Sequence, residues 1–310
     1  MGTRGTLEGS TARQRPSILR RQLLLAGSAW LAAGMALPGA ARATATARIG
    51  LTPVFLLSDL ELLASLERYL AGRLGIGVDL VTRRSYQEIT ALLLSGQLDA
   101  AWICGYPYIR NRDRLELIAV PLWRGRPLYQ AYLLAAAEGA GQSGAGAAAE
   151  DLAGLRGGIH AFSDPDSNSG FLVTQALLAG LSETPSSFFS RTFFTYGHRN
   201  VVRAVANGLA DSGSVDGYVW EVMDELEPAM TARTRIVRRS EWLGFPPLVV
   251  PRARRDAALS EAIDTVFRAM HEDAEGRSLL QVLRLDGFAE AEDALFDAIA
   301  AKYDAVRSLG

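Results

Sequence analysis

Two α/β units, each built on a mostly parallel sheet with flanking helices, are predicted by this sequence. Three observations predict them. Apolar strand-type runs alternate with helix-period segments from Arg48 to Leu122. The same alternation starts again at Gly158, after a stretch rich in Gly and Ala. The chain has 310 residues, 49% of them hydrophobic and 21% charged, the balance of a globular protein with one or two well-formed cores.

In the first unit, Arg48–Thr52 reads as a strand. The segment 58–74 reads as a helix, with Leu60, Leu63, Leu66 and Leu70 at helical spacing and Ser58 as N-cap. Val78–Thr82 is the next strand, and Tyr86–Leu94 a helix ending near Gly96. Leu98–Cys104, almost wholly apolar, reads as a buried parallel strand, and Leu115–Leu122 as a fourth. Tyr129–Ala136 is an extended crossing. The segment Glu138–Glu150 is a surface loop by composition.

In the second unit, Gly158–Phe162, Thr192–Tyr196 and Val215–Val219 read as strands. Ser169–Leu181 and Asn200–Asn207 read as the helices between them. Short strands at Arg235–Arg238 and Leu248–Val250 lead back, and the segment from Asp256 to Ser308 reads as helical throughout. The expected division is residues 44–130 with 237–310 as one lobe and 131–236 as the other. Ligands of open α/β sheets sit beyond the carboxyl ends of strands, so facing lobes would hold a ligand between them.

The first 43 residues differ in kind. A basic start ends in Arg20-Arg21, an apolar run follows from Leu23 to Leu37, and Ala41-Arg42-Ala43 closes the segment. These are the three parts of a secretory signal peptide, cleaved near Ala43. The apolar run is short for a membrane span. Arg20-Arg21-Gln22-Leu23-Leu24 resembles a twin-arginine signal, with Leu19 where that signal carries Ser or Thr. Cys104 is the only cysteine, so neither an internal disulfide nor a lipid anchor at the cleavage site is expected. The expected product is a soluble periplasmic monomer.

Residues 1–43 hold six Arg and one Glu. The rest carries 26 basic and 33 acidic residues, a net charge near −7. That balance excludes a nucleic-acid phosphate backbone as partner. It leaves room for a small anion, which needs only a local cluster of donors.

The segment Phe162-Ser163-Asp164-Pro165-Asp166-Ser167-Asn168-Ser169-Gly170 carries the most chemistry. It lies between a strand and a helix, where free backbone amides and a partial positive charge meet. Ser167, Asn168 and Ser169 add side-chain donors, and Gly170 is expected to keep the first turn open to a close ligand. An ordinary capped turn uses the same residue types.

Asp164-Pro165-Asp166-Ser167-Asn168-Ser169-Gly170-Phe171-Leu172-Val173 resembles the D-P-x-S-x-S-G hallmark, followed by an apolar helix, of the phosphonate-, phosphite- and phosphate-binding periplasmic proteins of ABC transporters. Ser85-Tyr86, Leu98-Asp99-Ala100-Ala101-Trp102, Tyr129, Gly197-His198 and Arg203-Ala204-Val205-Ala206-Asn207-Gly208 match family positions in order, over roughly residues 48–250. The resemblance implies a two-lobed periplasmic binding protein fold of type II and hinge closure on a small oxyanion. It implies that Ser167, Asn168 and Ser169 hold the oxyanion and that His198 donates from the second lobe. Tyr86 and Tyr129 would reach in from the first lobe and the crossing. Asp216 and Tyr218, on the strand read at Val215–Val219, would face the same cleft. The implied partner is an ABC transporter permease, with no cofactor and no metal.

Two departures bear on the ligand. Tyr218 and Phe245-Pro246-Pro247 stand where aminoalkylphosphonate binders place carboxylates for an ammonium group. An unpaired ammonium is costly to desolvate, which argues against aminoethylphosphonate. Cys104 is the second departure. It reads as a small buried hydrophobe, or as a ligand-touching thiol, since one branch of this family senses arsenite through a cysteine and signals to a membrane sensor kinase. A Cys-dependent enzyme pairing Cys104 with His198 is the remote alternative. No G-x-S-x-G elbow is present, and the three histidines with one cysteine argue against a structural zinc site. Gly154-Leu155-Arg156-Gly157-Gly158 precedes a strand, unlike a dinucleotide loop.

Overall fold

The computed structural model describes residues 46–52, 60–137 and 151–308. The signal-peptide segment, Ser58 and the Gly/Ala-rich stretch Glu138–Glu150 lie outside the described residues.

The chain runs β1 (Thr46–Leu51), α1 (Leu60–Leu74), β2 (Gly77–Thr82), α2 (Tyr86–Leu94), β3 (Ala100–Trp102), α3 (Gly105–Arg110) and β4 (Leu115–Leu122). The short β5 (Leu128–Tyr129) leads into β6 (Ala131–Ala136). Next come β7 (Ile159–Phe162), α4 (Val173–Ala179), α5 (Pro185–Phe188), β8 (Arg191–Phe194), α6 (His198–Ala206) and β9 (Ser212–Asp216). These are followed by α7 (Gly217–Leu226), α8 (Pro228–Thr231) and β10 (Thr234–Arg239). The chain returns through β11 (Leu243–Gly244) and β12 (Leu248–Pro251) to α9 (Ala258–Arg268), α10 (Ala274–Leu283), β13 (Gly287–Ala289) and α11 (Asp297–Arg307).

Two large sheets form among the described residues, each with flanking helices making one lobe. The first has strand order β13-β4-β12-β3-β1-β2, the second β10-β6-β9-β7-β8. Each contains a parallel core of three strands: β2-β1-β3 in one and β8-β7-β9 in the other. Antiparallel strands extend both cores. Leu115–Leu122, expected to continue the parallel set, pairs instead with the returning β12 and with β13. The reason is the chain crossing: β12 comes back from the other lobe and inserts beside β3 in the opposite sense. The crossings themselves pair, β5 with β11.

Three sequence expectations shift. Leu98–Cys104 is strand only over Ala100–Trp102, and Cys104 instead precedes α3. Pro107 lies in the first turn of that helix, where a missing N–H costs nothing. Val215–Val219 is not one strand. β9 stops at Asp216, whose Oδ1 accepts from Tyr218 N and Val219 N and so starts α7. The C-terminal segment is not helical throughout, because Gly287–Ala289 adds β13 to the first sheet.

A large apolar core runs beneath both sheets, including Ile49, Trp102, Leu134, Val205 and Val249. A second cluster, with Phe162, Leu178, Phe188 and Phe189, backs the second sheet. Helix α11 contacts α3 in the first lobe and α4 in the second.

Candidate functional site

The loop after β7 is shaped by its own polar side chains. Ser167 caps the following turn, its Oγ accepting from Gly170 N at 3.0 Å. The turn Asn168–Leu172 is a π-type turn that runs on into α4. Such wide turns are frequent at functional sites. Gly170 has a reason within the fold itself. A Cβ there would lie 1.8 Å from Ser163 Oγ, so the glycine makes room for Ser163.

Around this helix start, side chains from both lobes meet. Tyr86 is the first residue of α2, positioned by a capping box between Ser85 and Glu88. Its hydroxyl lies 3.2 Å from His198 Nε2, at the start of α6 in the other lobe. Asp216 N donates to His198 Nδ1 at 3.0 Å. That contact puts the ring proton on Nε2, which therefore donates into the site. Asn168 Nδ2 donates to the Tyr129 hydroxyl at 2.8 Å, and Asn168 N donates to Cys104 Sγ at 3.2 Å. Ser169 Oγ lies near the Tyr129 hydroxyl but outside hydrogen-bond geometry. Tyr86, Cys104, Tyr129, Ser167, Asn168, Ser169, His198 and Asp216 are all buried.

Tyr218 is buried too, but its hydroxyl donates to the Leu283 carbonyl at 2.5 Å, and its ring packs on Trp123 and Phe245. It is not brought into the cluster of donors. Phe245 also meets the Tyr129 ring, so this flank of the site is an aromatic wall.

Sequence reasoning quoted Asp164 and Asp166 without a role and did not single out Arg110. Asp164 accepts from Tyr86 N at 3.2 Å and from Asp166 N at 2.8 Å. Asp166 pairs with Arg110 at 2.7 Å. Both acids of the loop thus reach into the first lobe. Two carboxylates beside a capped turn were the available signal.

Burial governs the electrostatics. It pushes the Tyr86 and Tyr129 hydroxyls well above their ordinary range and the Cys104 thiol up to about 12. It lowers His198 to about 3 and raises Asp216 to about 7. Tyr86, Tyr129 and His198, with Asn168 and the serines, are therefore neutral donors at a helix N-terminus, with a protonated thiol and the half-ionised Asp216 carboxyl alongside. Three buried polar atoms there, Ser163 Oγ, Asn168 Oδ1 and Ser169 Oγ, have no hydrogen-bond partner. Such atoms are costly when unmatched and indicate a place for a polar group. Among the described residues no group of three or more His, Cys, Asp or Glu could hold a metal ion.

Comparison with known proteins agrees with this architecture. Solved structures share the fold at low sequence identity. A binding protein component of an ABC phosphonate transporter from Pseudomonas aeruginosa superposes with a TM-score of 0.76 at 18% identity, covering 86% of this chain and 88% of its own. PhnD1 from Prochlorococcus marinus, in complex with methylphosphonate, gives 0.72 at 16% identity, covering 84% of this chain and 98% of its own. The alkanesulfonate-binding protein SsuA from Xanthomonas axonopodis pv. citri, bound to MOPS, gives 0.58 at 16% identity over 86% and 93%. No helix among the described residues is long and apolar enough to cross a membrane. The family model described as ABC transporter, phosphonate, periplasmic substrate-binding protein matches residues 49–296, and the chain belongs to that family.

Proposed function

We propose that this substrate-binding protein captures a small phosphorus oxyanion, with a small organic tail or none, by closure of its lobes and delivers it to an ABC transporter permease. The observation that carries the reading is the convergence of Tyr86, Tyr129, Asn168, Ser169 and His198 from both lobes on the start of the turn that leads into α4. Every one is a neutral donor, and an oxyanion is stabilised by such donors without a counter-ion. Ser167 keeps its hydroxyl proton free to donate, since its oxygen already serves as cap. The aromatic wall of Phe245 and Tyr129 offers no counter-charge on its side, which supports exclusion of aminoethylphosphonate.

In this reading residues 44–130 with 237–310 form one lobe and 131–236 the other. The first 43 residues are an export signal removed near Ala43, and the mature protein is a periplasmic monomer. Closure follows from ligand contacts made to both lobes at once, because a ligand shifts the equilibrium only by its differential affinity for the two states.

Thermal unfolding with phosphate, phosphite, methylphosphonate, sulfate, arsenate and arsenite tests it. A phosphorus oxyanion at a hundredfold excess over its Kd should stabilise the fold by about 2.7 kcal/mol. Ser167→Ala combined with Ser169→Ala should remove the effect, and Cys104→Ala should not. No response to any oxyanion defeats the reading.

A second reading rests on Cys104, whose sulfur accepts from Asn168 N beside the same donors. Arsenite is thiophilic, so a thiol in that place supports an arsenite sensor partnered with a membrane kinase. Burial keeps the thiol protonated and weakens it as a nucleophile, which ranks this reading second. Stabilisation by arsenite alone, abolished in Cys104→Ala, would reverse the order.

A further inference from the structure

Helix α7 belongs to the second lobe, packing on α6, α8 and β9. One face of it nevertheless reaches the first lobe at three successive turns. Tyr218 donates through its hydroxyl to the Leu283 carbonyl at the end of α10. Glu221 pairs with Arg124 at 3.0 Å, in the turn between β4 and β5. Glu225 pairs with Arg284 at 2.7 Å, just past α10. Positions i, i+3 and i+7 share one side of an α-helix, so the three contacts form a single row.

The receiving side is shaped for the row. Arg124 and Arg284 both adopt left-handed backbone, with φ of 52° and 55°. That conformation is uncommon for a residue with a Cβ and carries a cost. Both cases occur at the residues that meet α7. Glu221 is held in addition by the Tyr132 hydroxyl of its own lobe at 2.7 Å.

We propose that Tyr218, Glu221 and Glu225 are an interlobe clasp: positioning residues that set the open–closed balance, and through it the ligand affinity, without touching ligand. The affinity part rests on the oxyanion-binding reading; the balance itself does not. An apparent Kd equals the intrinsic Kd divided by the fraction of molecules competent to bind, so loosening the closed form weakens binding with the donor cluster intact. The row contains one buried hydrogen bond and two water-accessible ion pairs. A cavity of about 450 Å³ lined by Arg124, Glu225 and Arg284 opens over it. The ion pairs are therefore screened by salt, and the tyrosine hydrogen bond is not.

The test uses the full protein with spin labels on exposed positions, one per lobe, at Asp113→Cys and Leu209→Cys. Distance distributions are recorded without ligand, and Kd for phosphite and methylphosphonate is measured by calorimetry. Glu221→Ala with Glu225→Ala should move population to longer distances and weaken binding about tenfold at low salt. Tyr218→Phe should weaken binding about fivefold, independent of salt. Glu225→Arg alone should act in the same direction as the alanine pair, and Glu225→Arg with Arg284→Glu should return both readouts towards the parent, which also controls for misfolding in the single change. Ser169→Ala should weaken binding and leave the distances as they were. Unchanged distances in the clasp variants, or a swap that restores nothing, overturn the proposal. Failure of the parent to bind any oxyanion overturns the functional reading alone, since the distances still report the clasp.

Discussion

His160 and His198 share a lobe, a depth and a titration behaviour, yet they are built into opposite circumstances. Both are buried, and burial holds both rings near 3, so both are neutral throughout the physiological range. His160 sits on β7 and spends its two nitrogens on Ser212 Oγ at 2.7 Å and Ser214 Oγ at 2.8 Å, both on the neighbouring β9, with its ring stacked on Phe189. His198 spends only Nδ1 on its own lobe and turns Nε2 to Tyr86 in the other. Burial and pKa do not separate the two histidines. The lobe of the partner does.

Removing each ring should break the fold and the site apart. His160→Ala leaves a cavity in a packed wall and strands the Ser212 hydroxyl, while Ser214 keeps Thr174 at 2.6 Å, and is expected to cost about 3 kcal/mol of stability. Its Kd for the oxyanion that binds the parent should stay within twofold. Denaturant unfolding and calorimetric titration read the two quantities. A large loss of affinity in this variant would erase the distinction between the rings.

His198→Ala is expected to weaken oxyanion binding about thirtyfold, near 2 kcal/mol, the size of one hydrogen bond to a charged group. Its unfolding free energy should fall as well, since the Asp216 N–H and the buried Tyr86 hydroxyl each lose a partner. Binding that survives this change at parental strength would remove His198 from the site.

How far the sequence carried these assignments depends on the kind of partner involved. The loop from Ser163 to Gly170 was legible because capping residues are local: Ser167 bonds to Gly170 three positions on. The α/β alternation was legible for the same reason, through spacing alone. The end of β9 was not, because Val215-Asp216-Gly217-Tyr218-Val219 is an apolar run in which a single aspartate marks the change from strand to helix. Helix α3 was hidden by Gly105 and Pro107, which read as loop until the first-turn position of the proline is known. Tyr218 illustrates the deeper limit. Its partner is a backbone carbonyl 65 positions away, and a carbonyl leaves no trace in residue identity. Gly170 was legible as a requirement but not as to its cause, since Ser163 is brought against it by the fold.

The smallest expected effect sharpens the comparison through pH. Each histidine has a folded pKa near 3, below its ordinary 6.5, so the unfolded chain takes up protons first. Their contribution is whole above pH 6.5 and is lost as pH falls towards 3. Asp216 behaves oppositely. Its folded pKa of about 7 lies above the ordinary 3.8, so its contribution is whole below pH 3.8 and is lost as pH rises through 7. Between pH 6 and 5 two of these three groups destabilise on acidification and one stabilises, so together they contribute a net of one proton and about 1.4 kcal/mol per pH unit. His160→Gln should lower the measured slope by about 1.4 kcal/mol per pH unit, and Asp216→Asn, which keeps a capping oxygen for α7, should raise it by about as much. Because both rings are dry and neutral, His198→Gln should flatten the slope as His160→Gln does, although only the former changes binding. Urea unfolding of the three variants at pH 6 and pH 5 measures it, and unequal slopes for the two histidine variants would show that their environments differ in more than the direction of a hydrogen bond.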